Sequence, residues 1–375
     1  MIFALILFGL ASVYFATGLL LFSGTLRLRR GRNRELLRAS VVVAVRDGRD
    51  TIEACLDALM DQSVPKERYE VIVVDDGSID GTYEILQGYK GKHRNLKIMR
   101  AKEGFGKSTG KQRALAQGIR LAQGEIVLQT DAECVVSRRW IEEVMSYFGR
   151  EVGVVVGFAL PRRSAGIFQA VRSADLLFLQ TVAAGFVGWG WPLSGIGKNL
   201  AVRKAAYMEV GGFERMGLQP NEDMALIQKI RRETKWRTAF MQGRNARVTM
   251  EGPPSLRAFI RRRRRWLLAG FRSHPAMFAT LGLVFWTHVM ILASVLFLNH
   301  LHHLPLLLVY YSWLVVACAN FVLITQGASM TRRYDLVLAF PMFQVFFWIY
   351  TTLLGFGALA PGGRKIEWRG RTYDG

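Results

Sequence analysis

Four long runs without a formal charge set the main constraint on this chain. Residues 1–22, 304–324 and 336–360 carry none, and 275–299 carries one ionisable residue, His288. A bilayer core requires about 20 apolar residues per crossing helix. Uncharged runs of this length are rare in the cores of soluble domains, so the direct reading is four spanning helices. Run 1–22 lacks the basic start and short apolar centre of a cleaved signal peptide, and is read as an uncleaved anchor. Arg27, Arg29, Arg30, Arg32, Arg34 and Arg38 follow it. The positive-inside rule then places residue 1 outside and the chain from 38 onward in the cytosol. Four crossings would leave Arg364, Lys365, Arg369 and Arg371 outside, against the same rule. Either 336–360, which contains Pro341, is re-entrant or the rule is broken there.

The chain is also strongly basic, with 50 Lys and Arg against 29 Asp and Glu and a formal net charge of +21. Such an excess seeks phosphate on a nucleic acid, a nucleotide or an anionic membrane face. No nucleic-acid recognition module is present, and the apolar runs speak against that partner. Cys55, Cys134 and Cys318 lie far apart. Their spacing supports neither a disulfide framework nor a structural zinc site.

Between the anchor and the later apolar runs, the pattern is that of an α/β domain. Strands are predicted at 40–45, 69–74, 96–101 and 125–130. Helices are predicted from an Asp50 N-cap to Gln62, from about Asp80, and over 108–122. This alternation implies a mainly parallel sheet, with ligands beyond the carboxyl ends of its strands. A dinucleotide fold would need GxGxxG at the first turn, where VVVAVRDGRDT offers one glycine. Two further stretches, 174–191 and 256–271, suit helices lying in the membrane interface. The first reads equally well as a core helix of the α/β domain.

Four motifs can carry chemistry. VIVVDDGSIDGT (71–82) places Asp75 and Asp76 at a strand end, able to accept hydrogen bonds from a base or ribose, although Asp-Asp-Gly is also an ordinary turn. Asp131 and Glu133 follow an apolar strand, a spacing that can hold Mg²⁺ or Mn²⁺ with substrate phosphates, or form a solvated loop. Glu222 and Asp223 open a helix, either as dipole-satisfying acids or as a general base for an acceptor hydroxyl. The RRRRRW run (261–266) can bind phosphate through guanidinium forks or anchor the chain electrostatically to lipid.

Together and in this order, the motifs resemble those of the family-2 glycosyltransferases, over nearly the whole chain. Stretches carrying the resemblance include SVVVAVRDGRDTIEACLDALMDQ (40–62), GKQRALAQGIRLAQGE (110–125) and SGIGKNLAVRKAAYMEVGGFE (194–214). The closing EWRGRTY (367–373) looks like the tail of lipid-acceptor members such as ceramide, hopanoid and carotenoid glucosyltransferases. The sequence departs from the family pattern in three places. DxD is Asp131-Ala132-Glu133, TED is Asn221-Glu222-Asp223, and the glutamine of QxxRW is Arg262, with Arg265 and Trp266 kept.

The resemblance implies an α/β fold of the GT-A type with flanking transmembrane and interfacial helices. It implies an anchor at 1–23, a cytosolic catalytic domain at 38–252, an interfacial helix at 253–274, three membrane helices at 275–360 and a basic tail at 361–375. The implied reaction is an inverting transfer from a nucleotide sugar, a UDP-hexose first, to a membrane lipid hydroxyl, with Mg²⁺ or Mn²⁺ as cofactor. Asp75 or Asp76 would contact the nucleoside and Lys111 the diphosphate. Asp131 and Glu133 would hold nucleotide and metal, and Gly197–Asn199 would form the loop near the donor sugar. Asp223, beside Glu222, would be the base. Arg265 and Trp266 would cover the diphosphate, with Arg262 joining them. A processive polysaccharide synthase and a non-catalytic membrane scaffold are the alternatives. The loss of the motif glutamine and the small number of C-terminal helices weigh against the first, and the retained Asp223 against the second. For the orientation, a reporter fused at residue 250 is expected to be active only in its cytosolic form; a periplasmic signal would reverse the topology.

Overall fold

The computed structural model describes the chain except residues 36, 106–109, 163–165, 194, 196, 218–220, 254, 299–302, 361–365, 369–370 and 374–375. Pro220 and the basic residues Arg364, Lys365 and Arg369 therefore lie outside the described residues. The chain divides into two compact units. One comprises Leu28–Arg162 and Val187–Glu251, the other Met1–Arg27, Arg163–Phe186 and Gly252–Gly375.

The first unit is built on a seven-stranded sheet. In chain order its strands are β1 (Ala39–Val45), β2 (Tyr69–Asp75), β3 (Leu96–Arg100), β4 (Ile126–Asp131), β6 (Val152–Gly157), β8 (Leu200–Arg203) and β9 (Arg237–Met241). Three short strands, β5 (Cys134–Val135), β7 (Ala159–Pro161) and β10 (Val248–Met250), form a second sheet. The large sheet runs β3-β2-β1-β4-β8-β6-β9. Strands β1 to β4 are parallel, and the valine-rich β1 and β2 are almost wholly buried, as strands covered on both faces must be. β8 runs antiparallel to β4 and to β6. Because it is reversed, its start lies at the same end as the finishes of β1, β2 and β4. Residues 197–199, Asp75 and Asp131 therefore share one end of the sheet.

The four predicted strands and three helices occur within a few residues of their expected ends. The first helix differs in its start: it spans Ile52–Met60 with Thr51, not Asp50, at the N-cap. The helix Lys111–Leu121 lies very close to β1. A Cβ on Gly118 would stand 2.5 Å from a Val42 methyl, so glycine permits the approach that brings Lys111 to the strand ends.

The second unit is helical. Among the described residues, five helices are long and apolar enough to cross a membrane: Ile2–Leu26, Ile167–Gly188, Pro275–Leu296, Leu304–Thr331 and Tyr334–Leu359. Pro341 occupies the first turn of its α-helix, where it costs no hydrogen bond and makes no kink. The segment 167–186 lies inside the stretch expected to be one catalytic domain, yet it groups with these helices. Phe178 packs on Phe343 and Phe347. The Tyr14 hydroxyl donates to Asn320, which donates to Gln344, a polar link between three helices.

The basic helix Leu256–Ser273 belongs to this unit as well, started by Ser255, whose hydroxyl accepts from the Ala258 N–H. Arg263 points inward. It donates to Asp175, which also accepts from the Tyr350 hydroxyl, and its guanidinium lies over the rings of Phe259 and Trp266. Asp175 is fully buried and Arg263 nearly so. Asp175→Ala would leave a buried cation without its anion, expected to cost about 3–5 kcal/mol. A lowered unfolding midpoint in detergent, restored by Asp175→Leu with Arg263→Met, checks this; no change for the single variant would sink it.

Candidate active site

The acids at the strand ends are gathered by two lysines. Asp131 closes β4. Lys111 opens its helix with its ammonium 2.7 Å from Asp131 Oδ1 and 3.2 Å from Glu222 Oε1. Lys198 places its ammonium 2.7 Å from Asp131 Oδ2 and donates also to Glu133. Burial works against a charged Asp131, but both ammoniums outweigh it and hold its carboxyl far below the usual range. Burial likewise opposes the charge on each lysine, and the carboxylates, Asp131 first, hold both ammoniums above their ordinary range.

Asp223 sits in the first turn of the helix Glu222–Glu233. Its Oδ2 accepts the Gly197 N–H at 2.5 Å and its Oδ1 the Met224 N–H at 2.8 Å. A Cβ at position 197 would stand 3.0 Å from Asp223 Oδ2, so glycine gives the loop its close approach. Burial first, and the charge of Glu222 second, push Asp223 up to about 6, while Lys111 pulls the other way. Gln112 steadies the approach to this helix, donating to the Phe213 and Gly217 carbonyls. Asp223 can therefore exchange a proton near neutrality.

The first motif builds a stiff turn at the end of β2. Asp75 is fully buried, accepts the Ser78 N–H, and lies 3.7 Å from Arg100, whose guanidinium covers the Tyr83 ring at 3.8 Å. Asp76 accepts from Arg113 at 2.7 Å. Gly77 and Gly81 take the positive φ that the turn requires. Asn199 faces inward. Its Oδ1 accepts from Trp140, and its two N–H groups go to the Phe158 and Ala246 carbonyls. It holds the loop in place and has no N–H left for a sugar.

The structure thus brings together Lys111, Asp131, Glu133, Gly197, Glu222 and Asp223, and sets Asp75 and Asp76 at the same end of the sheet. Arg262, Arg265 and Trp266 belong to the helical unit. Arg113 and Arg100 are not among the residues the motifs single out, and Lys198 falls inside the expected loop 197–199 without a role of its own. Lys198 stands between Gly197 and Asn199, and Arg113 two residues after Lys111, so adjacency to chosen positions was the available signal.

Two family profiles match the chain. Glycosyl transferase family 2 matches residues 40–211, and Glycosyl transferase family group 2 matches 126–356, more than half of the chain. The chain belongs to the family-2 glycosyltransferases. A relative of this glycosyltransferase, Glycosyltransferase AglE of Haloferax volcanii, is 35% identical over 119 residues, 32% of this chain and 38% of that protein. Beta-monoglucosyldiacylglycerol synthase of Synechocystis sp. is 25% identical over 62% of this chain and 48% of its own length. The glycosyltransferase thus spans about half or less of these relatives. A solved structure, mannosyltransferase PcManGT from Pyrobaculum calidifontis in complex with GDP-Man and Mn²⁺, superposes with a TM-score of 0.57 at 19% identity, covering 94% of this chain and 98% of that one. That likeness shows the GT-A fold.

Among the described residues, no three His, Cys, Asp or Glu side chains form a cation cage. The pair Asp131 and Glu133 nonetheless fits a hard divalent cation, because their oxygens already converge on one cationic centre, the Lys198 ammonium. The raised pKa of Asp223 yields a direct expectation. A folded-state value above the ordinary one means that this group favours folding in acid and loses that contribution as pH rises through about 6. Asp223→Asn should therefore fold well. In wild-type minus Asp223→Asn infrared difference spectra, the carboxyl band should titrate near 6, and Glu222→Gln should move it to lower pH. An unmoved midpoint would remove Glu222 as a cause.

Proposed function

We propose that this glycosyltransferase moves a hexose, with inversion, from a UDP-sugar to a hydroxyl of a membrane lipid. The observation that carries the reading is Asp223, a half-buried carboxylate raised to about 6 and held in a lysine-lined acidic cluster at the ligand end of the sheet. In this reading Asp223 takes the proton of the acceptor hydroxyl. The acceptor oxygen then attacks the anomeric carbon from the face opposite the diphosphate, which leaves with its bonding electrons. Lys111 and Lys198 offset charge on the leaving diphosphate. Asp76, steadied by Arg113, faces the nucleoside. Asp131 and Glu133 would hold Mg²⁺ or Mn²⁺, which when bound supplies further charge neutralisation for the diphosphate.

Two observations support a lipid acceptor. Five helices among the described residues are long and apolar enough for a membrane, and the Synechocystis relative is named as a synthase of a glucosylated diacylglycerol. We also propose a multi-pass protein with the sheet unit in the cytosol, where nucleotide sugars are made. The arginine cluster after the first apolar helix supports that orientation. Arg262, Arg265 and Trp266 are proposed as donor-binding residues on the strength of the motif alone.

The deciding experiment measures UDP binding and turnover on one preparation, with a hydroxylated membrane lipid as acceptor. Asp223→Asn should keep UDP binding and lose about two to four orders of magnitude in turnover, the usual share of a general base. Normal turnover would place the base elsewhere. Long lipid-free glycan from the wild type would make the protein a polymerase, and full activity in EDTA would remove the metal from the proposal.

A further inference from the structure

Lys198 occupies a position unlike that of an ordinary donor-site lysine. Its side chain is 15% exposed, against 37% for Lys111. It is the cation on which both acids of the Asp131-Ala132-Glu133 motif converge. The backbone around it is tied down from three sides. The Gly197 N–H is bound to Asp223, the Lys198 carbonyl accepts the Thr130 hydroxyl at 2.9 Å, and Asn199 is locked by Trp140 and two carbonyls. What can move is the four-carbon stem of Lys198, which carries a compact charge on rotatable bonds.

This arrangement has an electrostatic consequence. A divalent cation held by Asp131 and Glu133 would meet an ammonium already bound to the same two carboxylates. Asp131 has in addition the Lys111 ammonium on its other oxygen. Each acid of the motif is thus neutralised before any metal arrives, and like charges at contact distance repel strongly. A nucleotide diphosphate changes that balance, because it brings oxygens and negative charge to which a mobile ammonium can turn.

Building on the reading of this cluster as a nucleotide-sugar site, we propose that Lys198 is the resident cation of the motif. In the donor-free protein its ammonium closes the Asp131 and Glu133 pair. When the nucleotide diphosphate enters, Lys198 swings to the phosphate oxygens and a divalent cation takes its place. Metal and donor then bind in strict dependence on one another, and the free protein holds almost no metal.

Mn²⁺ binding followed by electron paramagnetic resonance, on the full chain in detergent, tests this without reference to turnover. Nucleotide-free wild type should bind Mn²⁺ weakly. Lys198→Met, close in shape and uncharged, should bind it about tenfold more tightly or better, the least expected on removing a unit charge at contact distance. Lys198→Arg keeps the charge and should remain as weak as the wild type. Added UDP should tighten Mn²⁺ binding to the wild type and shrink the gap to Lys198→Met. Equal Mn²⁺ affinity of nucleotide-free wild type and Lys198→Met would overturn the proposal, as would a gain in Lys198→Arg equal to that in Lys198→Met. The nucleotide-site reading fails separately: if UDP binds no variant with or without Mn²⁺, that reading falls and the exchange with it, whatever the nucleotide-free affinities.

Discussion

One carboxylate shared between two ammoniums organises the end of the sheet where β1, β2 and β4 finish. Asp131 sits where β4 stops, and its two oxygens are claimed by lysines from different parts of the chain, Lys111 and Lys198. The first fastens a helix to the strand end, and the second fastens the loop that precedes β8. Glu222 and Asp223 join through Lys111 and the Gly197 N–H. Four backbone segments are thereby pinned within reach of one another, in a partly buried setting where each charge is answered by another.

The electrostatics of the cluster divide its acids by task. Asp131, between two cations, is held well below the ordinary carboxylate range. Asp223 has backbone N–H groups for partners and a like charge next door, so its proton is exchangeable near neutrality. Two carboxylates on one sheet edge thus differ widely in acidity because of what faces them. The environment holds one carboxyl well below the ordinary range and lifts the other above it.

Much of this was legible in the sequence, and the exceptions have physical causes. Strands β1, β2 and β4 were readable because apolar, valine- and isoleucine-rich runs between loops leave few other options, and β3 (LKIMR) by its apolar–polar alternation. β8 was not, since LAVR is too short for a period to show, and its reversed direction is set by pairing with β4 and β6. The acids at the strand and helix ends stood out by position. Lys198 did not, because a lysine in a glycine loop has no spacing pattern, and its role depends on carboxylates 67 and 65 residues away. The resemblance puts Asn199 in the loop near the donor sugar. Its side chain is instead consumed by Trp140 and two carbonyls, contacts that only the fold supplies. The RRRRRW run reads as a phosphate- or lipid-binding segment, whereas Arg263 turns inward to a buried Asp175.

The excursion of residues 163–186 out of the sheet unit imposes an order on how this chain can be made. A ribosome delivers β7, then the helix Ile167–Gly188, then β8, so the helix emerges in the middle of a sheet that still lacks β8 and β9. The partners that satisfy its Asp175 come much later, Arg263 after 88 residues and Tyr350 after 175. Until then an apolar helix carrying a carboxylate has neither its packing surface nor its counter-charge. Synthesis beside a bilayer would give that helix an apolar surface to rest on, with the carboxylate in the wet headgroup layer, while the rest of the chain arrives. The membrane would then serve the nascent chain as a folding partner, before it serves the finished enzyme as a place of work.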